Sequence, residues 1–241
     1  MTATASPSAA QSGYGTTPVR PSPSRRALDI LVSAIALLVA LPFVLVVAMA
    51  VWSTSRGPVL FRQPRVGEGG RVFTLYKFRS MRTDTGGPGV TARGDPRITA
   101  VGRFIRSTSL DELPQILNVL LGHMTLVGPR PESPGLAERY PQECRWVFAY
   151  RPGLTGPVQL RLRDNVTLPD DVPDPEDYYL SILVPLRVST DKKFLDRPTL
   201  GRTVLFIFAT AWYLLAPKSY RPFGVHRKKG AREQERLRTG H

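Results

Sequence analysis

"ILVSAIALLVALPFVLVVAMAVW", Ile30 to Trp52, is the stretch on which the architecture turns. It is the only apolar run long enough to cross a bilayer, its 23 residues at ~1.5 Å rise reaching roughly 35 Å. Pro42 lies near its middle, where it removes a backbone hydrogen bond and bends a helix. Each arm is then about 11 residues, roughly half a bilayer deep. Arg20, Arg25 and Arg26 precede the run and Arg56, Arg62 and Arg65 follow it, so the positive-inside rule puts both ends on the cytoplasmic face. A re-entrant hairpin satisfies these constraints, and so does a proline-kinked full span. Asp29, at the mouth of the segment, either pairs with Arg25 and Arg26 at the headgroups or stands as a solvated interfacial charge.

Outward from this segment the chain divides into unlike parts. Residues 1–24 are rich in Ser, Thr, Ala, Pro and Gly and read as a disordered tail. They are not expected to be a signal peptide, because the basic pair comes late and the apolar run is too long for an h-region. Residues 25–54 form the membrane segment and 55–216 hold enough apolar residues for one substantial core. From Pro217 to the end, eight Lys/Arg stand against two Glu with no apolar pattern, a disordered basic arm suited to anionic lipid.

Within residues 55–216, "RVFTLYKF" alternates apolar and basic residues beside the glycine-rich turn Gly67–Gly70, the pattern of short strands. From Ile98, Leu110, Leu113, Leu117, Leu120 and Leu121 recur at helical spacing up to Gly122. "RPGLTGPVQLRLRD" reads as a turn followed by a strand, and "TLGRTVLFIFATAWYLL" as a helix for the core or for the membrane plane. The expected class is α/β in the α+β sense: a small irregular sheet with surrounding helices, anchored by a re-entrant membrane helix hairpin and in-plane amphipathic helices.

Charge narrows the function. The chain carries a formal net charge of +14, so anionic partners are expected: phosphates, nucleotides, nucleic acid or an acidic membrane. Cys144 stands alone and the three histidines are scattered, which leaves no thiolate or imidazole metal site. A metal here would be a hard ion held by carboxylates. From Ser53 to Leu110 there are eleven Lys/Arg against three Asp/Glu, and directly after this basic run comes the acidic pair Asp111–Glu112 in "SLDELPQILNVL". Ser109 with Glu112 makes a capping box, whereas Pro114 prefers the first helical position. Either arrangement, with Arg103 and Arg106 upstream, predicts a depressed carboxylate pKa and an ionised Asp111. Such a carboxylate can cap a helix, bind a metal or attack phosphorus. Arg130, clamped between Pro129 and Pro131, and Lys77 with Arg79 in "KFRSM" supply donors suited to a diphosphate.

In this order, "KFRSM", "RSTSLDELPQILNVLLGHMTLVGPRPE" and "RPGLTG" after a proline-broken apolar segment resemble the bacterial sugar transferases, specifically the monotopic polyprenyl-phosphate phosphoglycosyl transferases. The resemblance implies a re-entrant helix entered from the cytoplasmic side, with Arg26 and Asp29 at its mouth and Pro42 at its break. It implies transfer of a phosphosugar from a UDP-sugar to a polyprenyl (undecaprenyl) phosphate, with release of UMP and with Mg²⁺ as cofactor, at the cytoplasmic face of the plasma membrane. Asp111 would be the nucleophile, Glu112 its partner, and both would face the metal. Arg106, Lys77 and, less closely matched, Arg163 would hold phosphate, and Pro129, Arg130 and Pro131 would contact the nucleotide. Nucleic acid is not an expected partner, and a homodimer is compatible with this reading. His123, Pro157 and "QLRLRD" depart from the family pattern and leave the sugar open. The rival from another class is a membrane-tethered basic binding protein for nucleic acid or other anionic polymers, with Asp111–Glu112 a mere helix cap.

Overall fold

A computed structural model describes residues 14, 16–54, 56–82, 95–162 and 174–215. Its first element is α1, Pro23–Thr54, a single 32-residue helix. Ser22 starts it by accepting the Arg25 N–H on its hydroxyl at 3.4 Å, with Pro23 in the first turn, where its missing N–H costs nothing. The chain stays helical through Pro42, which lies inside this element. A proline withdraws one N–H and crowds one carbonyl while the flanking turns keep theirs, so a long apolar helix carries it as a local defect.

Both halves of α1 nevertheless pack on one domain. Arg25, Asp29 and Ser33 are buried near its start, and Val47 and Val51 near its end, beside Phe78 and Ile105. Between and around these contacts Leu38, Val39, Phe43, Val46, Met49 and Trp52 are exposed. Asp29 is neither paired at a headgroup nor solvated: it is 0% exposed, accepting the Thr125 hydroxyl at 2.7 Å and the Leu126 N–H at 3.0 Å. Arg25 donates to the Val127 carbonyl at 2.9 Å. Arg26 donates to the carbonyls of Val119 and Leu120 at 2.6 and 2.8 Å, in the last turn of a later helix, where side-chain donors supplement the backbone ones.

The expected hairpin is present as β1, Leu60–Val66, antiparallel to β2, Val72–Phe78, with Leu60 opposite Phe78 and Val66 opposite Val72. Leu75 and Phe78 of β2 are buried. The helical pattern beyond it is interrupted. Helix α2, Ala100–Ser107, ends with the Ser107 and Thr108 hydroxyls on the Phe104 carbonyl at 2.8 and 2.9 Å, beside the Thr108 N–H that bonds the same oxygen at 3.1 Å. Ser109 then takes φ 61°, the only non-glycine positive φ among the described residues. A 3₁₀ turn, Leu110–Glu112, leads into α3, Gln115–Leu120, and Gly122 at φ 84° ends it as expected. Asn118 pins α3 to the hairpin, donating to the Thr74 carbonyl at 2.7 Å and accepting the Tyr76 N–H at 3.1 Å.

A second two-stranded sheet pairs β3, Thr125–Val127, in parallel with β4, Gly153–Thr155. Between them lie α4, Pro134–Glu138, and a 3₁₀ stretch, Gln142–Ala149. After β4 the chain forms helix α5, Pro157–Leu162, not the expected strand, because Pro157 suits a helix's first position. Helices α6, Pro175–Tyr178, and α7, Val184–Leu195, are joined by a π-turn, and α8, Leu200–Leu215, closes the described part. Helix α8 buries Thr203 and Ala209 and exposes Leu205, Phe208 and Trp212, the two-faced helix the membrane-plane reading needs. The result is a mixed helical fold with two small sheets.

The stretch before α1 is not all free tail. Val19 pairs with Tyr150, and the ring of Tyr14 lies 5.1 Å from that of Phe148. The basic C-terminal arm, 217–241, lies outside the described residues.

Replacing Asp29 by Ala leaves two buried donors without an acceptor, and a loss of about 2–5 kcal/mol is expected, with a smaller loss for Asp29→Asn. Thermal unfolding in detergent micelles checks this, and an unchanged midpoint for Asp29→Ala contradicts it.

Candidate active site

The Ser109 turn sets the chemistry in place. Its left-handed backbone reorients the chain between α2 and α3, so that Asp111 and Glu112 stand half-buried on a 3₁₀ turn. Ser109 makes no side-chain cap, so the expected capping box is absent. Left-handed φ forbids the extended geometry from which an N-cap side chain reaches forward.

Around this turn gather cations from distant parts of the chain. Lys77 comes from the end of β2, Arg106 from the last turn of α2 and Arg130 from the loop after β3. Arg130 pairs with Glu112 at 3.8 Å, and Lys77 shares a cleft with Arg65, Gln115, Arg130 and Pro131. Burial, then the neighbouring Arg130 charge, pull the Lys77 ammonium down to about 8. Asp111 departs from expectation in the other direction. Burial, then the adjacent Glu112 charge, raise its carboxyl, and Lys77 and Arg106 oppose this without reversing it. Sequence reasoning counted the positive neighbours but not the desolvation.

The proline-flanked loop is held by backbone contact. The Pro129 carbonyl accepts the Gly153 N–H at 2.8 Å, and the Gly128 N–H donates to the Thr155 carbonyl at 2.9 Å. A Cβ on Gly153 would lie 2.1 Å from the Gly128 nitrogen, so only glycine permits this crossing. "GPRP" and "PGLTG", twenty-odd residues apart, are thus one structural unit, with Pro129 buried, Pro131 partly buried and Arg130 exposed.

Glu112 and Ser109 also line a cavity of about 570 Å³. Its walls are largely apolar, with Ala36 and Ala40 from α1, Leu113 and Ile116 around α3, and Ile207 and Leu214 from α8. One polar rim therefore faces a compartment built from the two helices that carry the exposed apolar surface.

The bacterial sugar transferase family profile matches residues 21–216. The chain belongs to the bacterial sugar transferase family. Similar proteins include the exopolysaccharide production protein PSS of Rhizobium leguminosarum bv. phaseoli, 49% identical over 146 residues that cover 57% of this chain and 73% of the relative. The UDP-glucose:undecaprenyl-phosphate glucose-1-phosphate transferase of Caulobacter vibrioides is 44% identical over 142 residues, covering 57% of this chain and 53% of its own. The UDP-N-acetylgalactosamine-undecaprenyl-phosphate N-acetylgalactosaminephosphotransferase of Aeromonas hydrophila is 41% identical over 141 residues, covering 56% and 33%. The matched segment thus spans between a third and three-quarters of these relatives.

Of the residues that the sequence singled out for a site, the fold brings together Asp111, Glu112, Lys77, Arg106 and Arg130. Arg163 lies outside the described residues. Arg79, expected with Lys77 as a donor for a diphosphate, is 3% exposed and donates to the Arg56 carbonyl at 3.0 Å in the loop before β1. Arg26, Asp29 and Pro42 lie along α1, where Arg26 and Asp29 act as fasteners. Sequence reasoning missed Arg65 as a cation of this cluster, and it missed Arg187 and Gln159, which line the cavity from α7 and α5. A basic residue in a mixed helix and a glutamine after a turn carry no local signal of a site.

Beneath α5 lies Asp191, 3% exposed, whose carboxyl accepts the Val158 N–H at 3.3 Å. Burial pushes it up to about 8. Between the ordinary carboxyl range, about 4, and pH 8 the folded state thus holds a proton that the unfolded state has released, and stability falls as pH rises. Asp191→Asn is expected to flatten this decline. Unfolding midpoints at several pH values from 5 to 8, compared for the two proteins, decide it, and parallel curves count against it.

Proposed function

We propose that the chain transfers a sugar 1-phosphate from a UDP-sugar to a membrane polyprenyl phosphate, through a covalent intermediate on Asp111, as a first membrane step of exopolysaccharide-type glycan assembly. One observation carries this reading: a carboxylate pair lies within the fields of Lys77, Arg106 and Arg130, and one of its members, Glu112, lines an apolar cavity walled by α1 and α8. A water-soluble phosphosugar and a lipid-bound acceptor have to meet at such a rim. The names of the relatives supply the substrate classes, nucleoside diphosphate sugar and undecaprenyl phosphate.

The step begins with a carboxylate oxygen of Asp111 attacking the phosphorus that bears the sugar. The bond from that phosphorus to the bridging oxygen breaks, and UMP leaves with the electron pair. A phosphate oxygen of the polyprenyl phosphate then attacks the same phosphorus, the bond to Asp111 breaks, and the carboxylate is restored. Positioning and charge neutralisation dominate such phosphoryl transfers. Lys77, Arg106 and Arg130 receive the diphosphate, and Pro129 and Pro131 limit the loop freedom lost when Arg130 grips it. Burial makes Asp111 a stronger base than an exposed aspartate, which favours attack once the cations have drawn the donor in.

The residues present also fit Mg²⁺. Two adjacent oxygen-donor carboxylates repel each other, no cluster of three acidic, His or Cys ligands occurs among the described residues, and Mg²⁺ is commonly held by one or two carboxylates plus substrate phosphates. Asp111 and Glu112 would hold it, and when bound it neutralises diphosphate charge.

Both halves of α1 bury side chains against one domain, which supports a re-entrant course from the cytoplasmic face of the plasma membrane. The alternation of exposed and buried positions on α8 supports its lying in the membrane plane.

Asp111→Asn is expected to abolish UMP release from a UDP-sugar in the presence of undecaprenyl phosphate, and normal turnover of that variant rejects the nucleophile. Chelation with EDTA is expected to reduce UMP release to background and added Mg²⁺ to restore it. Turnover indifferent to EDTA removes the metal from the reading.

A further inference from the structure

Arg187 projects from α7 into the cavity on whose rim Glu112 and Arg130 stand. Its guanidinium lies over the Tyr179 ring, 4.9 Å from the centroid, and its Nη1 donates to the Tyr179 hydroxyl at 2.7 Å. Tyr179 donates in turn to Glu132 Oε2, which also accepts the Tyr140 hydroxyl at 3.0 Å. The charge of Glu132 is directed elsewhere: its Oε1 faces Arg65 at 3.4 Å and accepts the Ser133 N–H at 2.9 Å. This network fixes the place of Arg187 but offers it only a phenol.

Among the described residues no carboxylate lies within ion-pair distance of Arg187, and its Nε is buried without a hydrogen-bond partner. The nearest acid along α7 is Asp191, one turn on, which burial keeps protonated at neutral pH. Gln159, on the same cavity, likewise has both amide atoms buried without partners. A guanidinium held rigidly against an apolar cavity is costly to desolvate unless an anion arrives to pair with it. Arg130, the other cation on the cavity wall, already has Glu112.

The form of the cavity identifies the anion. Two of its walls are α1 and α8, the helices whose outer faces are exposed and apolar, so a lipid chain enters between them with its head group leading. We propose that Arg187 binds the phosphate of the lipid acceptor, presenting it from the cavity wall to the phosphorus held at Asp111. This rests on the transferase reading for its second half alone, since recognition of a prenyl phosphate is a binding property. Charge complementarity makes the occupant a phosphate monoester on a long apolar chain rather than a neutral lipid.

The test uses the full chain in lipid nanodiscs and compares binding of a polyprenyl phosphate with that of the polyprenyl alcohol of equal length. Wild type is expected to prefer the phosphate by about tenfold or more, and Arg187→Gln to lose most of that preference while the alcohol binds as before. In turnover, Arg187→Gln is expected to raise KM for the polyprenyl phosphate about tenfold or more with KM for the UDP-sugar unchanged. The UMP released before acceptor is added should also persist. A preference retained in Arg187→Gln overturns the proposal, and so does a rise in the donor KM alone, which would mark Arg187 as a donor-diphosphate residue. Should Arg187→Gln fail to unfold cooperatively, Arg187→Lys, which keeps the charge but loses the fork, takes its place. It is expected to retain a preference for the phosphate with a raised acceptor KM, and an unaltered acceptor KM there overturns the proposal. If wild type distinguishes phosphate from alcohol yet releases no UMP from any UDP-sugar, the transferase reading fails while the Arg187 site stands.

Discussion

A buried carboxylate at the root of a long apolar helix is the constraint on which the rest of the structure depends. Asp29 cannot be solvated where it sits, so the Thr125 hydroxyl and the Leu126 N–H have to remain on it. Arg25 and Arg26 fasten the same turn to Val127 and to the end of α3. Helix α1 therefore leaves the domain from a fixed point and in a fixed direction. Everything placed by the α3–β3 connection, including the proline-flanked Arg130 loop after β3, is placed relative to that helix as well.

From that anchor the site is assembled by short, rigid links. Asn118 ties α3 to β2 and so sets Lys77 beside the carboxylate pair. The Gly128–Gly153 crossing sets Arg130 over the same pair. The second half of α1 packs against Phe78 and Ile105, with Leu110 and Leu113, which flank the acidic pair, alongside. The long apolar helix thus also supports the turn that carries the acidic pair, and that turn lies beside a cavity walled in part by the same helix.

Much of this was legible in the chain. The strand pair around Gly67–Gly70, the helix stop at Gly122 and the two-faced α8 follow from alternation, positive-φ glycine and amphipathic spacing, all local effects. The acidic pair and the arginines were legible as chemistry because residue types that can attack or bind phosphate are few. Other readings failed where a local rule met a tertiary one. The capping box at Ser109 gave way to a left-handed turn, and the strand after "PGLTG" gave way to a helix beginning at Pro157. The depressed pKa of Asp111 gave way to burial.

The sequence alone determined the inventory: one apolar run with a central proline, a basic domain, and a carboxylate pair among arginines. Those follow from composition and spacing, which need no partner in space. Only the tertiary structure decided which cations meet the carboxylates, that Arg79 is buried and bonds the Arg56 carbonyl, and that Asp29 is interior rather than interfacial. It also brought Arg187, seventy-five residues from Glu112, onto the same cavity. Burial and long-range contact set these outcomes, because desolvation depends on what the folded chain lays over a group, and no neighbour in sequence reports it.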